Sequence, residues 1–192
     1  MLFRSSLGFL EQALGIGGSE GERVALLEDA GTSAGRAGRY DEAERLLREA
    51  LALARTTDDR HAQLRIAAAL AEHPLLGLGR LREADDAIGE ALIEHADLVD
   101  DPAYVTVAGL QARLLLDLGA DAELALAACE RALGLAERAG LDPIVADLLV
   151  TKGAVLGATG RRREALTLVA GGAALAEREG LLHARVRAAT VT

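Results

Sequence analysis

Chemistry needs titratable, nucleophilic or metal-binding side chains at workable spacing, and this chain offers few. Its four histidines, His61, His73, His95 and His183, include no i, i+4 pair of the kind that sets two imidazoles on one helix face for zinc. The single cysteine, Cys129, has no thiolate partner. It stands four residues after Ala125, where Leu47, Ile88 and Val169 stand in related stretches, and reads as an inert core side chain. Asp97, Asp100 and Asp101 could suggest a magnesium cluster, but they fall where a helix ends before Pro102, and Asp101 is placed to cap the next helix. Asp58-Asp59 reads the same way, as solvated turn acids. The glycine-rich stretch Gly15 to Gly21 has its third glycine misplaced for a dinucleotide fingerprint and no strand before it, so it reads as a flexible loop. No G-x-x-x-x-G-K-[ST] occurs, and Lys152 is followed by Gly153 within a predicted helix. The run Arg161-Arg162-Arg163 opens a helix, where the macrodipole gives a cation no help, and reads as a solvated turn, with contact to an acidic partner as the alternative. No acid and base recur at catalytic spacing outside turns, so no enzyme activity, metal or cofactor is expected.

With chemistry set aside, composition bounds the class. The 192 residues are 51% hydrophobic and 27% charged, which suits an ordered domain. Thirty acidic residues against 21 basic ones give a net charge of −9, which disfavours broad nucleic-acid or membrane-surface binding. The opening MLFRSSLGFLEQALGIGG holds Glu11 and interleaves polar residues, so no targeting segment or membrane span is expected, and cytoplasmic location is the default. Aromatics are only 2%, so the interior must be built from Ala, Leu, Val, Ile and Gly, which suits closely packed helices.

The elements repeat. AGRYDEAERLLREALALA at 37–54 is echoed by LGRLREADDAIGEALIEHA at 78–96. Turn glycines fall at Gly38, Gly79, Gly119 and Gly160, at intervals of 41, 40 and 41 residues. An acidic residue follows four positions later in each case (Glu42, Glu83, Glu123, Glu164), and the third repeat carries one extra residue after its glycine. Ala43, Leu46, Leu47, Ala50, Leu51 and Ala54 mark the stripe of an amphipathic helix. The preceding halves read as helices at 23–37, 60–78, 102–118 and 143–159, two of them opening with Asp-Pro, at Asp101-Pro102 and Asp142-Pro143, which predicts two aspartate N-caps. Gly31 with Gly35 and Gly153 with Gly157 lie inside predicted helices and imply close helix crossings. A lone hairpin cannot bury its apolar face, so hairpins must stack. The expectation is all-α, a single right-handed superhelical solenoid over 1–192. It comprises a partial unit at 3–15 that includes Ala13-Leu14, units at about 22–56, 60–97, 102–139 and 143–179, and a partial unit at 181–190.

Leu27, Gly31, Gly38, Tyr40, Ala43, Leu47 and Ala50, with Gly153, Gly160, Ala165 and Val169, stand at the large, small and aromatic positions of a tetratricopeptide repeat. The chain resembles that family with helices lengthened by about one turn each. The stretches AGRYDEAERLLREAL, ERALGLAERAGLDP and VADLLVTKGAVLGATGRRREAL further resemble the repeat region of bacterial adenylate/guanylate cyclase-type or LuxR-type regulators. That resemblance implies a sensing or docking part of a signalling protein, without ATPase or cyclase residues of its own.

The family resemblance also implies a groove lined by the first helices, where peptides or helices lie. Carried over by position, it selects Glu28, Thr32, Arg36, Arg65, Glu72, Arg113, Asp117 and Asp147, with small residues Ala68 and Gly109 and with Val150 between them. The family's carboxylate clamp uses asparagines, and this chain has none. The expected partner is therefore an amphipathic helix or neighbouring domain of a protein. The alternative is a self-associating scaffold, a homo-oligomer assembled through exposed terminal helices.

Overall fold

The computed structural model describes residues 19–191. The helix expected at 3–15, with Glu11 and Ala13-Leu14, and the glycines at 15, 17 and 18 lie outside the described residues. Among the described residues the chain is helical, with no strand. It falls into two compact units, Met1–His95 and Ala96–Thr192.

The first unit holds two hairpins. Helix α1 (Glu20–Arg36) pairs with α2 (Tyr40–Thr56), and α3 (Arg60–Leu70), extended by a π-helical turn at Ala71–Leu75, pairs with α4 (Leu81–Glu94). In the second unit α5 (Pro102–Asp117) pairs with α6 (Ala122–Arg138), and α7 (Asp142–Ala158) with α8 (Arg162–Arg178). A last helix, α9 (Leu182–Val191), packs on α7 and α8.

The turn glycines do what their spacing predicts. Gly38, Gly79, Gly119 and Gly160 all have φ between 65° and 84°, the left-handed conformation in which a Cβ is penalised. Past each glycine an amide reaches back over the helix end: Arg39 to the Ala34 carbonyl (2.9 Å), Arg80 to Leu75 (2.8 Å), Ala120 to Leu115 (2.9 Å) and Arg161 to Leu156 (3.0 Å). These bonds satisfy carbonyls that the helix itself leaves bare. The extra residue of the third repeat is Ala120, inserted between Gly119 and the N-cap Asp121.

The helices differ from expectation at Asp142, at Ser19 to Gly21 and at Pro74, whereas Asp101 takes its expected place. Asp101 caps α5, accepting from the Ala103 amide at 2.7 Å. Asp142 is not a cap: it is the first residue of α7, and the N-cap position is Leu141, which makes no side-chain cap bond. Its carboxylate there can favour the helix only through the positive end of the dipole. Ser19 to Gly21 is not loop. Ser19 and Glu22 form a capping box, with the Glu22 amide donating to Ser19 Oγ (3.3 Å) and the Ser19 amide donating to Glu22 Oε2 (2.8 Å). Finally, the helix expected unbroken over 60–78 widens into a π turn at Pro74. Proline brings no amide hydrogen and its ring collides with the carbonyl four residues back, and a wider turn accommodates both defects.

Packing is by small residues, as the low aromatic content requires. A Cβ on Gly31 would stand 2.6 Å from Leu47 Cγ, and one on Gly153 would stand 2.6 Å from Val169 Cγ2. Gly35 lies under His73, 2.5 Å from its Cβ on the same construction, whereas Gly157 would meet nothing nearer than Ala165 Cβ at 3.7 Å. Three of the four glycines expected at close crossings are therefore at one, and Gly157 is not. In the second unit Val105, Ala112, Ala128, Cys129, Ala132, Leu133, Ala136 and Leu148 form one core cluster. Ala184 joins Ala146 and Ala176, and Ala188 joins Val150 and Val169, which seats α9 on the last hairpin.

Candidate functional site

In the first unit, Glu28, Thr32 and Arg36 follow one another at i, i+4 and i+8 and so share a face of α1. The opposing contribution is Arg65 on α3, which forks onto Glu28 with Nε at 3.1 Å and Nη2 at 3.0 Å. That bidentate pair ties α1 to α3 and sits at the surface, the arginine side chain 48% exposed. With the arginine half exposed, such a pair contributes little stability, about 0–1 kcal/mol. Glu72 is half-buried in the π turn.

In the second unit the selected residues diverge. Arg113 is buried, at 9% exposure, among the core residues of α5, and its side chain has an interaction within the fold. Asp117 is exposed at the end of α5. Asp147 on α7 is paired with Arg187 of α9, whose other nitrogen donates to the Thr151 hydroxyl at 3.0 Å. Asp147 therefore joins successive first helices, as Glu28 does in the other unit. Sequence position alone could not show this, because Arg187 lies 40 residues away.

The residues considered for chemistry are placed as follows. Cys129 is fully buried, and burial, eased only slightly by Lys152, pushes its thiol up to about 11. A thiol so high presents little thiolate near neutrality. His95 is buried and accepts a hydrogen bond from Arg60 Nε at 3.4 Å. Asp97 lies in a short 3-10 turn at Ala96–Leu98. Among the described residues no three His, Cys, Asp or Glu side chains gather as a metal site. No described helix is long and apolar enough to cross a membrane.

Two features escaped the sequence reading. Arginine at the residue after the turn glycine is a repeated device: Arg39 pairs with Glu42 (2.9 Å), Arg80 with Glu83, and Arg161 with Glu164. The signal was present as R-x-x-E at three of four helix starts. Two clefts also lie in the second unit. One, of about 420 Å³, runs between α6 and α8 over the end of α7. The other, of about 630 Å³, lies between α7 and α8 and is lined by Gly153, Ala154, Gly157 and Leu166.

No family model and no curated protein sequence matches the chain. Solved structures do. The chain is similar to BtubC (BKLC) from P. vanneervenii at 19% identity and a TM-score of 0.78, covering 98% of this chain and 81% of that one. It is similar to aspartyl phosphate phosphatase F from Bacillus subtilis at 14% identity and a TM-score of 0.79, covering 96% of this chain and 49% of that one. A putative kinesin light chain from Podosopora anserina, with nearly identical TPR-like repeats, matches at 19% identity and a TM-score of 0.67, over 92% of this chain and 88% of that one. These likenesses establish the fold as a tetratricopeptide-like helical repeat.

Proposed function

We propose that this protein is a non-catalytic interaction module which receives a peptide or helix of a partner protein on the exposed face of its first helices. The observation that carries the reading is the Glu28–Arg65 junction, where two successive first helices present a charged, hydrogen-bonding surface flanked by Thr32 and Arg36. The tetratricopeptide-like fold supports it, because stacked hairpins leave such faces repeated along the chain. The bacterial regulator context rests on the sequence resemblance to cyclase-type and LuxR-type proteins, and would make this the docking or sensing part of a larger assembly. Cytoplasmic location belongs to the same reading.

A photo-crosslinking amino acid at Thr32 tests it. Capture of a partner at Thr32 and not at Arg45, which lies exposed on α2, is the expected result. Equal capture at both positions, or at neither, would refute the assignment of the face. Charge reversal at Arg65 should then remove the capture. Arg113 is unsuitable for reversal, since a carboxylate buried there would disturb packing first. The alternative, a self-associating scaffold assembled through exposed terminal helices, predicts instead that Thr32 captures no partner while the chain oligomerises with rising concentration.

A further inference from the structure

A junction between successive second helices occurs within each unit, and its chemistry differs between the two. In the first unit Arg80, at the start of α4, reaches across to Glu44 on α2 at 2.6 Å while also holding Glu83, and Arg48 binds the other oxygen of Glu44 at 2.8 Å. The Glu44 side chain is mostly buried by this arrangement, and the junction is closed by an internal carboxylate. In the second unit Arg161 is the counterpart of Arg80. The register set by Ala43 and Ala125 puts Leu126 where Glu44 would be and Glu130 where Arg48 would be. Arg161 turns back onto Glu164, with Nε at 3.0 Å, and Glu130 pairs with Lys152 at 3.3 Å. The junction stays open as the cleft of about 420 Å³.

We infer that this cleft binds an acidic, leucine-bearing peptide segment of a partner protein, whose carboxylate takes the place that Glu44 fills in the first unit. Three features select that ligand. The cleft has aliphatic surface in Leu126, Leu156 and Leu168. Its charged groups are three cations, Lys152, Arg161 and Arg163, against two carboxylates, in a chain of net charge −9. Arg163 has no ion pair among the described residues, so an arriving carboxylate meets a cation that no internal acid has neutralised. The volume is at the lower end of small-ligand sites, roughly 300–1,000 Å³, and suits a few side chains. Its arginine rim is half exposed, so a small free acid would bury too little of its surface, whereas a peptide gains contacts along α6 and α8.

This site is separate from the face around Glu28 and Arg65 and stands or falls independently of it. The test is titration of the isotope-labelled protein with the blocked peptide acetyl-Ala-Leu-Glu-Leu-Ala-amide, followed by amide chemical shifts. The expected result is shifts centred on Leu126, Lys152 and Arg161, and affinity weaker by about tenfold for the same peptide with Gln in place of Glu. Leu126→Glu supplies the missing internal carboxylate and should weaken binding by a similar factor, as should Arg161→Gln. Leu126→Gln, polar but uncharged, should retain more affinity than Leu126→Glu. Equal affinity for the Glu and Gln peptides overturns the inference, as do equal losses in Leu126→Gln and Leu126→Glu, or shifts confined to other surfaces. Shifts produced by free 4-methylpentanoate but not by the peptide also overturn it, because the ligand would then be a small acid.

Discussion

Gly171 and Gly172 are sequence neighbours in the middle of α8, and substituting alanine at each should have opposite effects. Both replacements gain helix propensity, about 1 kcal/mol. At Gly171 an added Cβ has no neighbour within 4 Å, so the full gain should appear. At Gly172 it would stand 2.8 Å from the Ala146 carbonyl oxygen of α7, 3.0 Å from Val150 Cγ2 and 3.2 Å from Leu149 Cβ. The nearest atom is backbone, which cannot rotate aside, so α7 and α8 must separate. Overpacking of this kind costs about 1–3 kcal/mol. Gly171→Ala should therefore stabilise by about 1 kcal/mol, and Gly172→Ala should range from neutral to about 2 kcal/mol destabilising. Urea unfolding followed by far-UV circular dichroism gives the ranking, and hydrogen exchange of the α7 amides shows whether the loss is local. An equal upward shift of both midpoints would refute the close approach of α7 to α8.

Three further outcomes follow from named contacts. Burial pushes the Glu44 carboxyl upward, but hydrogen bonds and charge from Arg48 and Arg80 outweigh it and hold the folded pKa below the ordinary value. A lowered folded pKa means that the stabilisation is complete above the unfolded value, about 4.3, and is lost as pH falls through the folded one. Glu44→Gln should therefore flatten the acid limb of stability against pH, and an unchanged limb would remove Glu44 from that role. Cys129, raised to about 11, should react negligibly with a thiol reagent at pH 8 in the native protein and fully in urea; rapid native reaction would contradict its burial. Asp101→Ala should cost about 1 kcal/mol as a lost N-cap, while Asp142→Ala, which caps nothing, should cost clearly less, and equal costs in urea unfolding would contradict the cap geometry.

Much of the fold was legible because its determinants are local. A glycine at φ near 70° after each first helix, an apolar stripe at spacings of three and four, and a constant interval of about 41 residues are visible without coordinates. Asp142 shows where local reasoning stops. Its Asp-Pro dipeptide matches that at Asp101, yet Leu141 amide bonding to the Ala136 carbonyl (2.9 Å) starts α7 one residue earlier. The preceding turn at Gly140 sets the phase of the helix, and the turn's position is fixed by the helix before it. Pro74 was equally visible in the sequence, but whether a proline breaks, kinks or widens a helix depends on what holds its two ends. Here Tyr40 packs on Gly77 just beyond the π turn, so the chain widens and continues.

The candidate sites were less legible for a related reason: they depend on which residue of one repeat meets which residue of the next. Glu28 and Arg65 are 37 residues apart, Glu44 and Arg80 are 36 apart, and Asp147 and Arg187 are 40 apart, so no single spacing identifies a partner. Repetition nevertheless supplies a control within the molecule. Where two units share backbone register, a difference in side chain at one position isolates what that side chain does. Glu44 and Leu126 are such a pair, since each lies one residue after the buried alanine that seats its helix. Both arginines hold the glutamate three residues on; with Glu44 the arginine's Nη1 also reaches across and the junction closes, and with leucine that reach has no acceptor and a cleft remains. A carboxylate introduced at Leu126 should therefore engage Arg161 Nη1 while Nε and Nη2 stay on Glu164, and the Glu164 carboxyl should remain below its ordinary value, as the Glu83 carboxyl does beside Arg80. A Glu164 carboxyl that rises to its ordinary value in that variant would show that Arg161 does not bridge the junction as Arg80 does.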